Sequence, residues 1–338
     1  MRRELNLQNR NDLQREKKPF DWRLIEENIK RIKIEPSTLV FASFVLLLIF
    51  KLLSLLITNK TVENILIIPF QLIVFILPAY LYLQYKSGGD PDEMTRGLRL
   101  RVPGIYQVPL LISALFLILF GNVLISLVFA GTGSLEEGFT LYNTFVSRNS
   151  GGFFTAVYLI IAYAIVPAVC EEVVFRAILS REYERDNVAL GIAVSSLFFA
   201  LIHFDLYMLP VYIFSGIVLA LTMYATGSLV AAIAVHAVFN VFGLFGQPYL
   251  NAFYTITGGT GGLFIFVLCM MTILSAALFC AFASKSYKRR SRFSKMPERK
   301  LLPSTEETLN IISKFTLNPF AIATFVLYIV VVVIDLLL

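Results

Sequence analysis

Residues 167–179 read PAVCEEVVFRAIL. Two adjacent glutamates and an arginine stand inside an otherwise apolar run. An ionisable side chain at mid-bilayer costs about 2.5–3.5 kcal/mol on insertion scales, so such groups face a partner or a cavity. At about 100° per residue, Glu172 and Arg176 are i,i+4 and share a helix face. Glutamate on the N-terminal side is the favourable order for such a pair. Glu171 points about 100° away and is not neutralised by Arg176. The stretch therefore reads as one structural ion pair plus one free carboxylate, and a free carboxylate suits a general base. The structural alternative is a charge cluster at a helix end.

The chain has only two histidines, His203 and His236, and both lie in apolar runs. His236 and Asn240 are i,i+4 in AVHAVFN and offer a ring nitrogen and an amide to one spot. Phe199 and His203 repeat that spacing in FFALIHF. A lone intramembrane histidine reads as an interhelical hydrogen bond. Two of them together with a glutamate pair read as a functional site. Cys170, Cys269 and Cys280 all sit in apolar runs and suggest no disulfide framework. Cys170 borders Glu171, where a nucleophile is conceivable, but a small buried hydrophobe is the preferred reading.

These residues need a scaffold, and the composition says which kind. The chain is 57% hydrophobic and 15% charged, where a soluble domain carries about 25% charge. The bilayer must be most of its solvent. The net charge of +6 is then no sign of nucleic-acid binding, and none is expected. Nine apolar runs stand out, at 38–58, 64–85, 105–130, 153–179, 188–204, 208–226, 228–246, 262–283 and 317–338. The fifth and sixth are the weakest, separated only by the residues around Asp205. The expected fold is all-α: a polytopic bundle of about nine transmembrane helices, with eight as the alternative, around an intramembrane catalytic cavity. The first 37 residues are polar and do not read as a signal peptide.

Basic residues set the expected orientation. They cluster in the N-terminal arm, in the 86–103 loop (Lys86, Arg96, Arg99, Arg101), in the 180–187 loop (Arg181, Arg185) and in 284–300. With nine spans all four fall on one side, so the N-terminus is expected in the cytoplasm and the C-terminus outside. The organisation follows: a cytoplasmic arm at 1–37, in which DWRLIEENIKRI reads either as an amphipathic helix on the membrane surface or as part of a solvated tail; peripheral helices at 38–150; a catalytic core at 151–246; a transmembrane helix within 247–283; a basic linker at 284–316; and a final helix at 317–338. TGGTGG (257–262) matches no phosphate-loop spacing and reads as a flexible external turn.

Three motifs in order, EEVVFR (171–176), FALIH (199–203) and HAVFN (236–240), resemble those of the CPBP family. These are the CAAX-protease and bacteriocin-processing (Abi-type) intramembrane proteases. The eukaryotic relative is the prenyl-protein endopeptidase that removes the last three residues of a CAAX tail. The resemblance covers about 150–245. It implies that Glu171 activates a water, that His203 helps to hold that water, and that His236 and Asn240 stabilise the oxyanion, where losing a donor typically costs about 2.7–4 kcal/mol. It implies that Glu172, Arg176 and Phe199 support the site. The motifs have the look of a bacterial member, which implies a bacterial cytoplasmic membrane.

A metal-free mechanism is expected, because no H-E-x-x-H helix is present. Zinc held by Glu171, His203 and His236 is the alternative, since three N/O ligands plus water make a catalytic geometry. The expected partners are a peptide or protein substrate, prenylated or a peptide precursor, along with membrane lipids and, in a second reading, another membrane protein. That second reading is a non-proteolytic scaffold regulating another membrane enzyme. A third is a transporter using the same polar residues for protons. One tension remains. Counted from the expected cytoplasmic ends, Glu171 lies about 12 Å deep, His203 about 20 Å and His236 about 10 Å. Tilt, a kink at Pro167, or cytoplasmic extension of the fourth and fifth helices must close the gap.

Overall fold

The protein is seen in a computed structural model that describes residues 34–129, 153–184, 187–258, 261–294 and 318–337. The amphipathic helix expected at DWRLIEENIKRI and the basic linker beyond residue 294 lie outside the described residues. Among the described residues the fold is helical throughout, with no strand. A chain in hydrocarbon must satisfy its backbone internally, and the helix does so within a single segment.

In chain order, α1 is Pro36–Ser54. The second helix, α2, runs Lys60–Gln71, passes a π turn at Leu72–Ile76 and continues Leu77–Ser87; α3 is Pro91–Leu98 and α4 is Val108–Phe129. Next, α5 runs Phe153–Leu159, a π turn Ile160–Ile165, Val166–Glu172, a second π turn Val173–Ser180 and Arg181–Glu184. Then follow α6 Val188–Leu201, α7 Leu209–Thr226, α8 Leu229–Phe245, α9 Gln247–Ile256, α10 Gly261–Ser294 and α11 Pro319–Leu337.

Seven helical stretches among the described residues are long and apolar enough to cross a membrane. An eighth results if Leu229–Phe245 and Pro248–Ile256, which meet at 76°, count as one broken span. The expected count of nine is therefore not reached by length. The difference falls on the seventh run, whose helix α8 has 17 residues and counts only with the bent pair, and on the fifth run, whose helix α6 has only 14 residues. That is about 21 Å of helix, short of the ~30 Å hydrocarbon core. The chain leaves the helical path where Phe204 takes a left-handed backbone, φ 53°, and α7 begins at Leu209 with Pro210 in its first turn.

Two boundaries also differ from expectation. The helix over the apolar run 262–283 does not end where the basic segment begins, because α10 continues unbroken to Ser294. The stretch 247–261, expected as loop, contains α9. The 86–103 loop likewise contains α3, opened by Asp90, whose Oδ1 accepts from the amide of Asp92 at 2.9 Å.

Helix ends carrying several of the basic residues lie together. Arg99 pairs with Glu184 at 3.3 Å and Lys86 pairs with Glu182. The Arg181 guanidinium donates to the Gly97 carbonyl. Gln107 Nε2 donates to the Thr226 carbonyl at 3.2 Å and to Ser286 Oγ at 2.9 Å. One end of the bundle thus gathers the termini of α2, α5, α7 and α8 with the basic part of α10.

The core pair α6 and α7 is packed through small residues, as expected where helix backbones must approach in lipid. A Cβ placed on Gly216 would sit 2.9 Å from the Cα of Ser196. Valine at 216 must push the two backbones apart, and overpacking of this kind typically costs about 1–3 kcal/mol. We expect Gly216→Val to lower the thermal unfolding temperature in detergent. Gly243→Ala, where a Cβ meets nothing within 4 Å, should leave it unchanged.

Candidate active site

The two glutamates close the stretch Val166–Glu172 of α5, which follows a first π turn, and Arg176 lies in the second π turn, Val173–Ser180. Pro167 explains the first of them. It has no N–H and its ring clashes with the preceding turn, and a widened i→i+5 turn absorbs both. Such π bulges recur at functional sites. Beyond the second, α5 runs on to Glu184, five residues past the expected end. Extension of the fourth helix is one of the three expected ways to close the depth gap, and α5 is longer than expected at this end.

Glu172 and Arg176 are both fully buried, and their Oε1 and Nη1 lie 3.1 Å apart. The i,i+4 pair read from the sequence is present. The atoms are close as ions rather than aligned as a hydrogen bond, since Nη1 has no hydrogen-bond partner. Arg176 is held by more than charge. Its Nη2 donates to the Gly216 carbonyl at 3.4 Å, and its guanidinium lies 4.1 Å from the centre of the Phe199 ring. A desolvated cation over an aromatic face gains more than one in water.

The same Glu172 Oε1 takes a second partner, His236 Nδ1, at 2.9 Å. A carboxylate only accepts, so Nδ1 carries the proton. The other nitrogen, Nε2, faces Glu171 Oε2 at 3.9 Å. Glu171 is thus not solitary, as its lack of an arginine partner suggested; it has a histidine beside it, beyond direct hydrogen-bond reach. Glu171 keeps 8% exposure, whereas Glu172 keeps none.

His203 lies in the turn after α6 and is half-buried. Its Nδ1 donates to the Phe199 carbonyl at 2.9 Å, which leaves Nε2 as the acceptor of a neutral ring. The ring stacks on Tyr212, with centroids 3.8 Å apart. Phe199 links the two histidines, with its centroid 5.0 Å from His203 and 5.7 Å from His236. Asn240, one turn beyond His236, donates to the Ala164 carbonyl at 3.4 Å, so one amide hydrogen is engaged and one is left for another acceptor.

The structure links Glu171, Glu172, Arg176, Phe199 and His236 in one chain of neighbours, with His236 beside both glutamates and Phe199 beside Arg176 and His236. His203 joins them through Phe199, and Asn240 borders them from α8. Among the described residues no three His, Cys, Asp or Glu side chains converge on one point. His236 Nδ1 is turned to Glu172 and His203 Nδ1 to a carbonyl, which leaves Nε2 as the outward nitrogen of each ring.

Sequence reasoning missed three supports. Tyr212 orients His203 from another helix and carries no local signal. The carbonyls of Gly216 and Ala164 are invisible to side-chain reading. Only the Ser-Gly pair at 215–216 hinted at a close helix approach.

Fold and site together define a polytopic helical membrane protein with a buried carboxylate–histidine centre. Residues 153–242 match the family model of type II CAAX prenyl endopeptidases, Rce1-like. The chain thus carries an Rce1-like domain, in agreement with the CAAX-protease resemblance of its motifs. All seven motif residues discussed above fall inside the matched segment. No curated protein and no solved structure matches the chain.

The ion pair generates its own test. Removing one partner of a buried pair leaves an orphan charge and typically costs about 3–5 kcal/mol. Arg176→Ala should therefore unfold at a lower temperature in detergent than the parent. Glu172→Gln with Arg176→Met should unfold later than Arg176→Ala, since no orphan charge remains. Equal unfolding of Arg176→Ala and the parent would show that the pair is not structural.

Proposed function

We propose that the protein is an intramembrane endopeptidase in which Glu171 activates water for attack on a peptide carbonyl. The observation that carries this reading is the division of labour between adjacent glutamates. Glu172 is engaged by Arg176 and His236, at 3.1 and 2.9 Å. Among the described residues Glu171 forms no hydrogen bond through its side chain and faces His236 Nε2 at 3.9 Å. A polar separation of that length suits a third oxygen between the two groups.

In this mechanism Glu171 takes a proton as the water oxygen bonds to the carbonyl carbon. His203 accepts a hydrogen bond from that water at Nε2. The oxyanion receives the second amide hydrogen of Asn240 and a proton on His236 Nε2. For His236 to donate from Nε2 while Nδ1–H rests on Glu172, the ring must carry both protons. Two glutamates, one arginine and one imidazolium then sum to zero charge, a favourable state for a buried site. The tetrahedral adduct collapses by breaking the C–N bond, and Glu171 returns its proton to the amine. Phe199 holds Arg176 and both histidines apart at fixed spacing.

The Rce1-like match supports peptide or protein substrates in a membrane, and we extend it to a prenylated protein or a peptide precursor. We place the chain in a bacterial cytoplasmic membrane, from the form of its motifs. We place the N-terminus inside and the C-terminus outside, which the gathering of Lys86, Arg99 and Arg181 at one end of the bundle supports.

The test is cleavage of prenylated and unprenylated peptides by purified protein. Losing general-base catalysis typically costs about 10²–10⁴ in rate, so Glu171→Gln should lose at least that while still folding and inserting. Activity should persist in a strong chelator. Full activity of Glu171→Gln would remove the glutamate mechanism. A biological role that survives this change, with no cleavage by the parent, would favour the scaffold reading.

A further inference from the structure

The outward face of α10 carries a pattern that peptide hydrolysis does not use. Leu274, Leu278, Ala281, Lys285, Lys288 and Arg292 follow one another at intervals of four and three, which makes them one stripe along the helix. All six are exposed. The stripe is apolar up to Ala281 and cationic from Lys285 onward. Arg289 widens the cationic half, its guanidinium 4.1 Å from the centre of the Tyr106 ring.

The opposite face is fixed to the bundle. Ser286 donates to the Ala225 carbonyl at 3.0 Å and accepts from Gln107 at 2.9 Å. The helix therefore cannot roll to hide the stripe. Its cationic half lines a groove of about 610 Å³ with Ala281 and Ser284, and no carboxylate belongs to that lining. Nearby, Ile105, next to Tyr106 in sequence, is 87% exposed and stands ready for an apolar neighbour.

We propose that this stripe is a binding site for one anionic phospholipid. The phosphate lies among Lys285, Lys288, Arg289 and Arg292, and an acyl chain runs along Ala281, Leu278 and Leu274. The continuity of the two halves selects the ligand. A free phosphate would use the cations alone, and a neutral lipid the apolar half alone. Only a molecule with an anionic head on a hydrocarbon chain fits both, and the polarity changes along α10 at the end of its apolar run, where a headgroup must sit. The inference is independent of peptidase activity.

The experiment uses the purified full chain in detergent. Native mass spectrometry counts bound phosphatidylglycerol and phosphatidylcholine offered together, and a second arm offers inorganic phosphate. Each basic residue near an anionic membrane surface contributes roughly fivefold in affinity. The parent should prefer phosphatidylglycerol, and the triple change Lys285→Gln, Lys288→Gln, Arg292→Gln should erase the preference by about fivefold per charge removed. These side chains are exposed, so the variant should fold. If it does not, the parent alone still decides, because its preference must collapse as salt screens the cations. Equal retention of phosphatidylcholine, equal competition by inorganic phosphate, or a preference indifferent to salt would overturn the proposal.

Discussion

One carboxylate oxygen, Glu172 Oε1, holds the site together. It meets Arg176 from its own helix at 3.1 Å and His236 from α8 at 2.9 Å. In water such contacts would be worth little. Here both partners are withdrawn from solvent, and an unpaired member would be costly. The requirement that Glu172 be satisfied therefore fixes the distance between α5 and α8. It also fixes the tautomer of His236 and turns its Nε2 toward Glu171. The neighbouring glutamate carries no such pair, and in the proposed mechanism that difference separates a support from a reactive group within a single dipeptide.

The other helices serve this arrangement. Arg176 needs a face and an acceptor, and it finds Phe199 on α6 and the Gly216 carbonyl on α7. Both are within reach because α6 and α7 approach closely at Gly216 and Ser196. Pro167 and the flanking π turns give α5 the local freedom to present two adjacent acidic side chains to different neighbours. Farther out, Asn122 and Ser215 exchange hydrogen bonds at 2.8 and 3.1 Å between α4 and α7, a polar clasp of the kind that joins helices in lipid.

The helical bundle and the site were legible in the sequence to different depths. Apolar runs announce helices because hydrocarbon leaves the backbone no other choice, and i,i+4 spacing announced the Glu172–Arg176 pair. The length of α6 was not legible. Its run is apolar through residue 202, and its end is set by a left-handed Phe204 that composition does not reveal. The end of α10 was misjudged for a related reason, because lysine and arginine end an apolar run without ending a helix. The bridging of Glu172 to His236 spans 64 residues, and no local period encodes a contact between helices. The role of Tyr212 was hidden likewise, since its partner lies across the bundle, and Phe199 was named as a support only through the resemblance.

The central claim is that Glu171 delivers water rather than attacking the carbonyl itself. A single turnover in ¹⁸O-labelled water, read by mass spectrometry of product and protein, addresses it most directly. The account predicts one ¹⁸O in the new carboxylate of the cleaved peptide and none in the fragment containing Glu171. Label in Glu171, or an acyl group trapped on Glu171 or Cys170, would contradict it and mark a covalent mechanism.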